Sequence, residues 1–345
     1  MMNIYINATF IGCLNNLHLA AQVEEFVVKA GLKVVAHSNL ADYSILCTCG
    51  FTKEQQKIAV GSVDGYVAKF GYDRVIVVGC LPDILPEIRL KYKCVGIGEI
   101  ENLVKELPLD TTIKASVQIA NRIQNDGKYY IKICSGCDHN CKYCVVKKAK
   151  GSTVSVAMDS IYRQFLTGID EGATKFVLLA DDCGSYGSDI GKTLNDLLDG
   201  MLALTDKEFK MELYYVHPSK LLELYPKMSV PLLKAISYMN VPLQSTSQRI
   251  LKLMGRNYDV AEVLEIVGKI RGINPEMVVY THLIYGFPTE TQEEFGEMFG
   301  LAGRFSSVEW FQYSECREMD LPLLPPEEIA FRERDIMRFK RRKIC

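Results

Sequence analysis

The chain has 345 residues, 48% hydrophobic and 24% charged, which is the composition of a globular protein with two or three domains. Its 40 basic and 42 acidic residues give a formal net charge of −2, without the basic surplus that marks many nucleic-acid binders. No apolar run has the length of a membrane span, and the N-terminus lacks the features of a signal peptide. We therefore expect a cytoplasmic protein without a membrane partner, whose 12 cysteines serve metal binding or catalysis rather than disulfides.

Residues 1–120 alternate between short β-rich runs and amphipathic helical runs. The predicted strands are NIYINATF, LKVVAH, YSILCT and RVIVVG, and the predicted helices cover about Leu17–Ala30 and Lys53–Lys69. This alternation is typical of a doubly wound parallel sheet. The polar stretch ELPLDTTIKASVQ then leads out of this unit as a predicted linker.

Residues 121–320 repeat the pattern of strand and helix. The predicted strands are YYIKIC, KFVLLA, KMELYYV, ISYMNVPL, MVVYTHLIYGF and VEWFQYS, separated by helical stretches at 156–171, 192–204, 247–254 and 260–271. Six repeats are fewer than the eight of a complete barrel, so we expect a partial (β/α)6 barrel. Residues 321–345 are predicted to form a short, basic, mostly helical tail. The whole chain is thus expected to be α/β, with a doubly wound N-terminal domain before the barrel.

Four cysteines fall within one short run, CSGCDHNCKYC, from Cys134 to Cys144. A reducing cytoplasm disfavours a disulfide knot, and a structural zinc site needs four ligands, often as two separated pairs. Cys134 ends an apolar run and is expected to lie in a strand, which leaves Cys137, Cys141 and Cys144, here called the loop trio. Three closely spaced thiolates suit a 4Fe–4S cluster with one open iron. Zinc and a plain core role remain as alternatives.

An open iron placed after the first barrel strand would lie at the carboxyl face, where barrel enzymes work. Such an iron can be chelated by the amino and carboxylate groups of S-adenosyl-L-methionine, and electron transfer to the sulfonium then yields a 5′-deoxyadenosyl radical. The C-x3-C-x2-C spacing, with an aromatic residue (Tyr143) before the last cysteine, resembles the signature of the radical SAM superfamily.

Three further cysteines each follow a predicted strand of the first unit. Cys13 follows YINATFIG, Cys49 follows YSILCT, and Cys80 follows RVIVVG. Because the carboxyl ends of parallel strands line one crevice, we expect these three residues, here called the N-terminal trio, to converge there. The alternative is that each cysteine is a small buried hydrophobe.

Longer runs resemble the radical SAM methylthiotransferases in order and spacing, over about residues 3–315. The matching runs are GCLNN, CTCGFTKEQQK, VVGCLP, KICSGCDHNCKYCVV, LLADDCGSYGSD, NVPLQSTSQRILKLMGRNY, HLIYGFPTETQEEF and FQYS. Members of that family thiomethylate tRNA adenosines or a ribosomal-protein aspartate. The resemblance implies a transferase with two 4Fe–4S clusters, the second held by the N-terminal trio. It also implies two molecules of S-adenosyl-L-methionine per turnover, one methylating a sulfur at the second cluster and one generating the radical.

The resemblance also implies roles for single residues outside the two trios. Those expected to contact the cofactor are Tyr143, Asp181, Gln244, Gly286 and Arg256, and Asp182 is expected to act with the loop trio in catalysis. Simpler structural roles remain open: a turn or helix cap for the two aspartates, a turn glycine for Gly286, and an exposed helix end for Arg256.

Departures from the family pattern concern the substrate. Lys150 replaces an arginine, Ser245 replaces a histidine, and the chain ends about 30 residues after FQYS, where family members continue into a small substrate-binding β-barrel. We therefore expect a shortened form that modifies a peptide or protein side chain, with tRNA as the alternative substrate. A flavodoxin or ferredoxin is the expected reducing partner. Sulfur insertion without methyl transfer, and a non-catalytic iron–sulfur electron carrier, are further alternatives.

Overall fold

A computed structural model describes residues 1–8, 13–109, 127–301, 303–317 and 319–342. Most of the predicted linker lies outside these residues. The chain forms two compact units, one of Met1–Ala120 with Val145–Gly151 and one of Asn121–Cys144 with Ser152–Cys345. Among the described residues, no helix is both long enough and apolar enough to cross a membrane.

The first unit is a parallel sheet covered by helices on both faces. Its strands are β1 (Asn3–Ala8), β2 (Lys33–Val35), β3 (Tyr43–Thr48), β4 (Val75–Gly79) and β5 (Lys93–Gly96). Its helices are α1 (Leu14–Lys29), α2 (Lys53–Phe70), α3 (Leu81–Ile84), α4 (Glu87–Lys91), α5 (Leu103–Glu106) and α6 (Val146–Lys150). The strand order is β2-β1-β3-β4-β5, with parallel pairing throughout.

Alternating side chains of the central strands fill two separate cores in this unit. Ile45 and Ile76 pack with α1, whereas Leu46 and Val77 pack with α2 on the opposite face. This alternation explains why the strands read as continuous apolar runs, since both faces of a parallel sheet are buried. The predicted doubly wound sheet is confirmed, and the short edge strand β5 is an element that the sequence reading did not include.

The second unit contains a larger parallel sheet. Its strands are β6 (Tyr129–Lys132), β7 (Cys134–Ser135), β8 (Val154–Ser155), β9 (Lys175–Leu179), β10 (Lys210–Leu213), β11 (Ile236–Asn240), β12 (Val278–Tyr285) and β13 (Ser307–Gln312). Its helices are α7 (Met158–Asp170), α8 (Leu194–Ala203), α9 (Pro218–Leu224), α10 (Val230–Ala235), α11 (Gln248–Leu253), α12 (Val260–Ile273), α13 (Gln292–Glu297) and α14 (Pro326–Arg342).

Six of these strands form the sheet in the order β13-β12-β11-β10-β9-β6, all parallel, while β7 and β8 form a separate antiparallel pair. Within the described residues β6 and β13 end the sheet without pairing to each other, so the barrel is open. Buried residues such as Phe176, Met211 and Leu283 pack against the surrounding helices. The predicted partial barrel is confirmed. All of its strands end at one edge, which gathers the residues that follow them.

The C-terminal helix α14 belongs to the second unit and is joined to it by a buried ion pair. Arg332 is fully buried, and its Nε lies 2.9 Å from Glu290 Oε2. Its Nη2 donates to the Glu290 carbonyl oxygen at 2.9 Å. The tail that the sequence separates as a basic helix thus places one of its arginines in the core.

Candidate active site

The N-terminal trio comes together at the carboxyl edge of the first sheet. Cys13 precedes α1, Cys49 directly follows β3, and Cys80 directly follows β4. The Cys80 N–H donates to the Thr48 carbonyl oxygen at 3.2 Å, which holds the ends of β3 and β4 together. The arrangement matches the expectation that strand ends would gather these three residues.

The thiols of this trio interact directly. A hydrogen bond between Cys13 and Cys49 lowers the pKa of Cys13 to about 6, and the positive charge of Lys150 on α6 acts in the same direction. The same hydrogen bond, with burial, raises the pKa of Cys49, and the neighbouring Cys80 adds to that shift. In this trio Cys13 loses its proton most readily, and the thiolate that forms is the ligand a soft metal centre prefers.

The loop trio follows β7 in the second unit. The loop is closed by a hydrogen bond from the Cys144 N–H to the Cys141 carbonyl oxygen at 3.2 Å. Cys141 is buried, whereas Cys137 and Cys144 are half-buried. Burial raises the pKa of Cys137 to about 12, and the nearby Cys144 and Cys141 contribute in the same direction. Cys134 is fully buried in a strand, but this strand is β7 and not the first barrel strand in which the sequence places it.

The two aspartates after β9 hold this loop. Asp181 Oδ2 accepts the Gly136 N–H at 3.0 Å. The Asp182 carboxylate is buried and accepts four hydrogen bonds. Its donors are the Gly184 N–H (3.0 Å), the His217 N–H (2.9 Å), the Ser185 hydroxyl (2.6 Å) and His139 Nε2 (2.7 Å). Because both oxygens of Asp182 are occupied within the protein, its geometry is that of a residue that orders the loop.

A pair of histidines lies beside Asp182. The rings of His139 and His217 stack with their centroids 3.7 Å apart. Burial lowers the pKa of His217, and the positive charge of Arg256 contributes. The sequence alone does not single out His217. Its signal was its position, four residues after β10, at the same sheet edge as the other site residues.

Arg256 differs from its simplest sequence-based interpretation. An exposed helix end was one alternative, but the side chain is only 5% exposed. Its Nη1 donates to Cys141 Sγ at 3.4 Å and to the Tyr143 hydroxyl at 3.3 Å. Tyr143 and Arg256 are therefore both adjacent to the loop trio.

Gln244 and Gly286 lie at the same edge. Gln244 has a left-handed φ of 71°, and its N–H donates to the His282 carbonyl oxygen at 2.8 Å. Gly286 follows β12 with a φ of 74°, and a Cβ there would lie 2.3 Å from Ile329 Cδ1 of α14. The left-handed φ favours glycine at this position by itself, whereas Ile329 Cδ1 is the tip of a side chain that can shift. Its N–H donates to Glu290 Oε2 at 2.9 Å.

Several buried polar atoms at this edge have no hydrogen-bond partner among the described residues. They are His217 Nε2, Asn240 Oδ1, Gln244 Oε1 and the Tyr313 hydroxyl. These residues end, or closely follow, β10, β11 and β13. Buried polar groups are normally satisfied, so an unpaired set at one edge indicates a polar ligand. An amino acid joined to a nucleoside, as in S-adenosyl-L-methionine, fits this set.

The two trios offer a donor set suited to iron–sulfur chemistry. In the described parts of the chain, no group of three or more His, Cys, Asp or Glu side chains could hold a metal ion as it stands. A cluster of four irons is larger than one ion, so its ligands stand further apart. Three thiolates per trio and no carboxylate ligand match the preference of such clusters for sulfur.

Comparisons with known proteins identify the family. The model of the Radical SAM superfamily matches residues 131–302, and the model of Uncharacterized protein family UPF0004 matches residues 5–94. The ribosomal protein uS12 methylthiotransferase RimO of Alkaliphilus oremlandii is 30% identical over 334 residues, covering 90% of this chain and 75% of that protein. The chain belongs to the radical SAM methylthiotransferases. The predicted family and its enzyme class, a radical SAM transferase, are confirmed.

Two other RimO proteins show how much of a relative's length this chain spans. The protein from Thermotoga maritima is 29% identical, covering 88% of this chain and 75% of the relative. The protein from Protochlamydia amoebophila is 27% identical, covering 85% of this chain and 66% of the relative. This radical SAM methylthiotransferase therefore spans about two thirds to three quarters of these relatives. The family's cofactors are 4Fe–4S clusters and S-adenosyl-L-methionine, as the sequence predicted.

Solved structures agree on the fold of this radical SAM methylthiotransferase. The radical S-adenosylmethionine methyltransferase TsrM from Kitasatospora setae superposes with a TM-score of 0.61 at 12% identity, covering 90% of this chain and 73% of that chain. The cobalamin-dependent S-adenosylmethionine radical enzyme OxsB gives a TM-score of 0.54 at 14% identity, covering 87% of this chain and 51% of that chain. At such low identity the likeness concerns the fold alone.

Proposed function

We propose that this chain inserts sulfur, as a thiomethyl group, at an unactivated C–H bond of a peptide or protein side chain, using two 4Fe–4S clusters. The observation that carries the proposal is the convergence of a second cysteine trio, Cys13, Cys49 and Cys80, in the N-terminal unit. A radical SAM enzyme needs only the loop trio to cleave its cofactor. A second set of thiols therefore supports a second cluster with a different function.

The residues divide the work as follows. The loop trio holds one cluster, and its order depends on Asp182 and Asp181, which fix the loop backbone and His139. The unpaired polar atoms of Gln244, His217 and Asn240 orient S-adenosyl-L-methionine at the sheet edge. When bound, the loop cluster would supply the electron and S-adenosyl-L-methionine the sulfonium for radical generation. The N-terminal cluster would supply the sulfur.

A protein substrate is favoured by the relatives, which are named for action on ribosomal protein uS12. The charges of the C-terminal helix support the same choice. Arg338 pairs with Asp335 at 3.2 Å, and Lys340 lies 3.7 Å from Glu309. Two cations of the helix thus have acidic neighbours, and tRNA is the second candidate. A flavodoxin or ferredoxin is the proposed source of electrons.

The test is to incubate the anaerobically reconstituted full chain with S-adenosyl-L-methionine, a reductant and a candidate substrate. A uS12 peptide and bulk tRNA are the two substrates, each analysed by mass spectrometry. We expect 5′-deoxyadenosine, S-adenosylhomocysteine and one added thiomethyl group on the peptide. Deoxyadenosine with sulfur but no methyl would indicate sulfur insertion alone. If neither small-molecule product forms, the enzyme proposal is wrong and an electron carrier is left.

A further inference from the structure

The guanidinium of Arg256 is buried beside one ligand of the loop trio. Each of its three nitrogens makes a hydrogen bond. Nε donates to the Tyr258 hydroxyl (3.2 Å), Nη2 to the Pro242 carbonyl oxygen (2.8 Å), and Nη1 to both Cys141 Sγ (3.4 Å) and the Tyr143 hydroxyl (3.3 Å). A side chain with so many fixed contacts has one orientation.

None of these partners is a carboxylate. Within the described residues, Arg256 forms no ion pair, whereas Arg332, which is also buried, is paired with Glu290. A buried charge is normally compensated, because leaving it unpaired away from water is costly. The sulfur of Cys141 is the partner of Arg256 that carries a negative charge when it binds iron. The positive charge of Arg256 is therefore compensated only when Cys141 is a thiolate.

The backbone fixes this contact as well. The turn that carries Arg256 follows α11, and the Lys142 N–H of the loop donates to the Met254 carbonyl oxygen at 2.9 Å. Gly255 has a φ of 73°, and a Cβ on it would lie 2.8 Å from the Asn140 carbonyl oxygen. The turn and the loop are thus in backbone contact on either side of Cys141, so the backbone segments that carry the guanidinium and the sulfur are held together.

We propose that Arg256 is a positioning residue that raises the reduction potential of the loop cluster, because its positively charged guanidinium donates a hydrogen bond to Cys141 Sγ. The inference rests on the proposed function, because it takes the loop trio as cluster ligands. Reduction adds negative charge to a cluster, and a fixed cation with a hydrogen bond to a ligand sulfur favours the reduced form. Arg256 thereby makes the first electron easier to supply.

The experiment is a redox titration of the reconstituted full chain, followed by EPR, in the absence of S-adenosyl-L-methionine. Arg256→Met should lower the equilibrium constant for reduction of the loop cluster at least tenfold, a shift of about 59 mV or more toward lower potential. Arg256→Lys keeps a positive charge at the site, so its reduction potential should lie close to that of the wild type. Arg332→Met removes the other fully buried arginine and should leave the potential unchanged.

Three results would overturn the proposal. The potential of Arg256→Met could equal that of the wild type. Arg256→Lys could shift it as far as Arg256→Met, which would assign the effect to packing. The potential could also stay constant while binding of S-adenosyl-L-methionine weakens, which would make Arg256 a cofactor contact. If replacing the loop trio by alanine removes no EPR signal, the proposed function fails instead.

A measurement on the unaltered chain guards against a variant that does not fold. Protein labelled with ¹⁵N-arginine should show ¹⁵N hyperfine coupling to the reduced loop cluster, because Nη1 donates to a ligand sulfur. The strong coupling should disappear in Arg256→Lys prepared in the same way, leaving only the weaker coupling of Arg317, whose Nη1 donates to the Cys144 carbonyl oxygen at 3.4 Å. An unaltered chain without such coupling would contradict the contact on which the proposal depends.

Discussion

The two cysteine trios make separable predictions about iron. After anaerobic reconstitution we expect about eight irons per chain, four for each cluster. Replacing the loop trio by alanine should remove about four and abolish cleavage of S-adenosyl-L-methionine, because the open iron is lost. Replacing the N-terminal trio should remove the other four and spare that cleavage. Iron analysis and deoxyadenosine assays give both readouts.

The control for this experiment is Cys94→Ala, which changes a half-buried cysteine of the first unit outside both trios. It should keep the full iron content. A chain in which the N-terminal variant also kept all its iron would show that Cys13, Cys49 and Cys80 hold no cluster.

His282 should make stability depend on pH. Burial lowers its pKa to about 4, below the usual histidine value of about 6.5. Asn240 Nδ2 lies 3.0 Å from its Nε2. Below pH 6.5 the unfolded chain binds a proton that the folded chain does not. Stability that is present above pH 6.5 is therefore lost progressively as the pH falls to about 4, by about 2–3 kcal/mol.

Urea unfolding of the iron-free chain across this pH range would measure the loss. His282→Gln should make this dependence shallower, since one buried imidazole is removed, while His217, whose pKa burial also lowers, keeps its own contribution. His37→Gln, which removes an exposed imidazole, should leave the slope as it is. Equal slopes for the wild type and His282→Gln would contradict the assignment.

The candidate site residues could be predicted from the sequence where they stand at a characteristic spacing. The loop trio and Tyr143 stand in a short motif, and the N-terminal trio follows three strand ends, so both sets could be read from the sequence. His217 and Asn240 have only their position at a strand end as a signal, because a single polar residue there belongs to no motif. The burial of Arg256 depends on a turn that closes over a loop more than 100 residues earlier in the chain.

At the level of elements, the turn after α11 holds the cluster loop. Gly255→Ala would place a Cβ 2.8 Å from the Asn140 carbonyl oxygen at a φ of 73°. We expect a loss of about 1–3 kcal/mol in the free energy of unfolding. Iron should also leave the loop trio faster when a chelator is added, because the turn and the loop separate.

Gly268→Ala is the matched control, since this glycine is exposed within α12 and a Cβ there would meet no atom within 4 Å. It should stabilise the chain by about 0.5–1 kcal/mol and leave iron release unchanged. If both variants released iron at the same rate, the turn would have no part in holding the loop.

Most elements followed from hydrophobic patterns. The predicted helix at 260–271 forms as Val260–Ile273, and the helix at 53–69 forms as Lys53–Phe70. The run YYIKIC is different, because β6 ends at Lys132 and Cys134 pairs with Ser155 of β8. An apolar run gives no sign of where a chain leaves one sheet for another, since both positions are buried.

At the scale of the whole molecule, the response of substrate binding to salt separates the two candidate substrates. A tRNA held through six to ten phosphates should lose roughly 10³–10⁵-fold in affinity between 50 and 200 mM salt. Peptide binding to a chain of net charge −2 should change far less. Fluorescence anisotropy with labelled peptide and labelled tRNA measures both. A steep slope for the tRNA, with tight binding at low salt, would favour the RNA substrate.

The buried pair of Glu290 and Arg332 also bears on synthesis at the ribosome. Its two residues are 42 positions apart, and Arg332 is made after both trios and the whole open barrel. Domains generally fold in order as they emerge during translation. The first unit can therefore fold early, whereas the second holds Glu290 without its cation until α14 has left the ribosome. During that interval the barrel holds a buried carboxylate without its cation, and we expect it to be the part of the nascent chain that needs a chaperone.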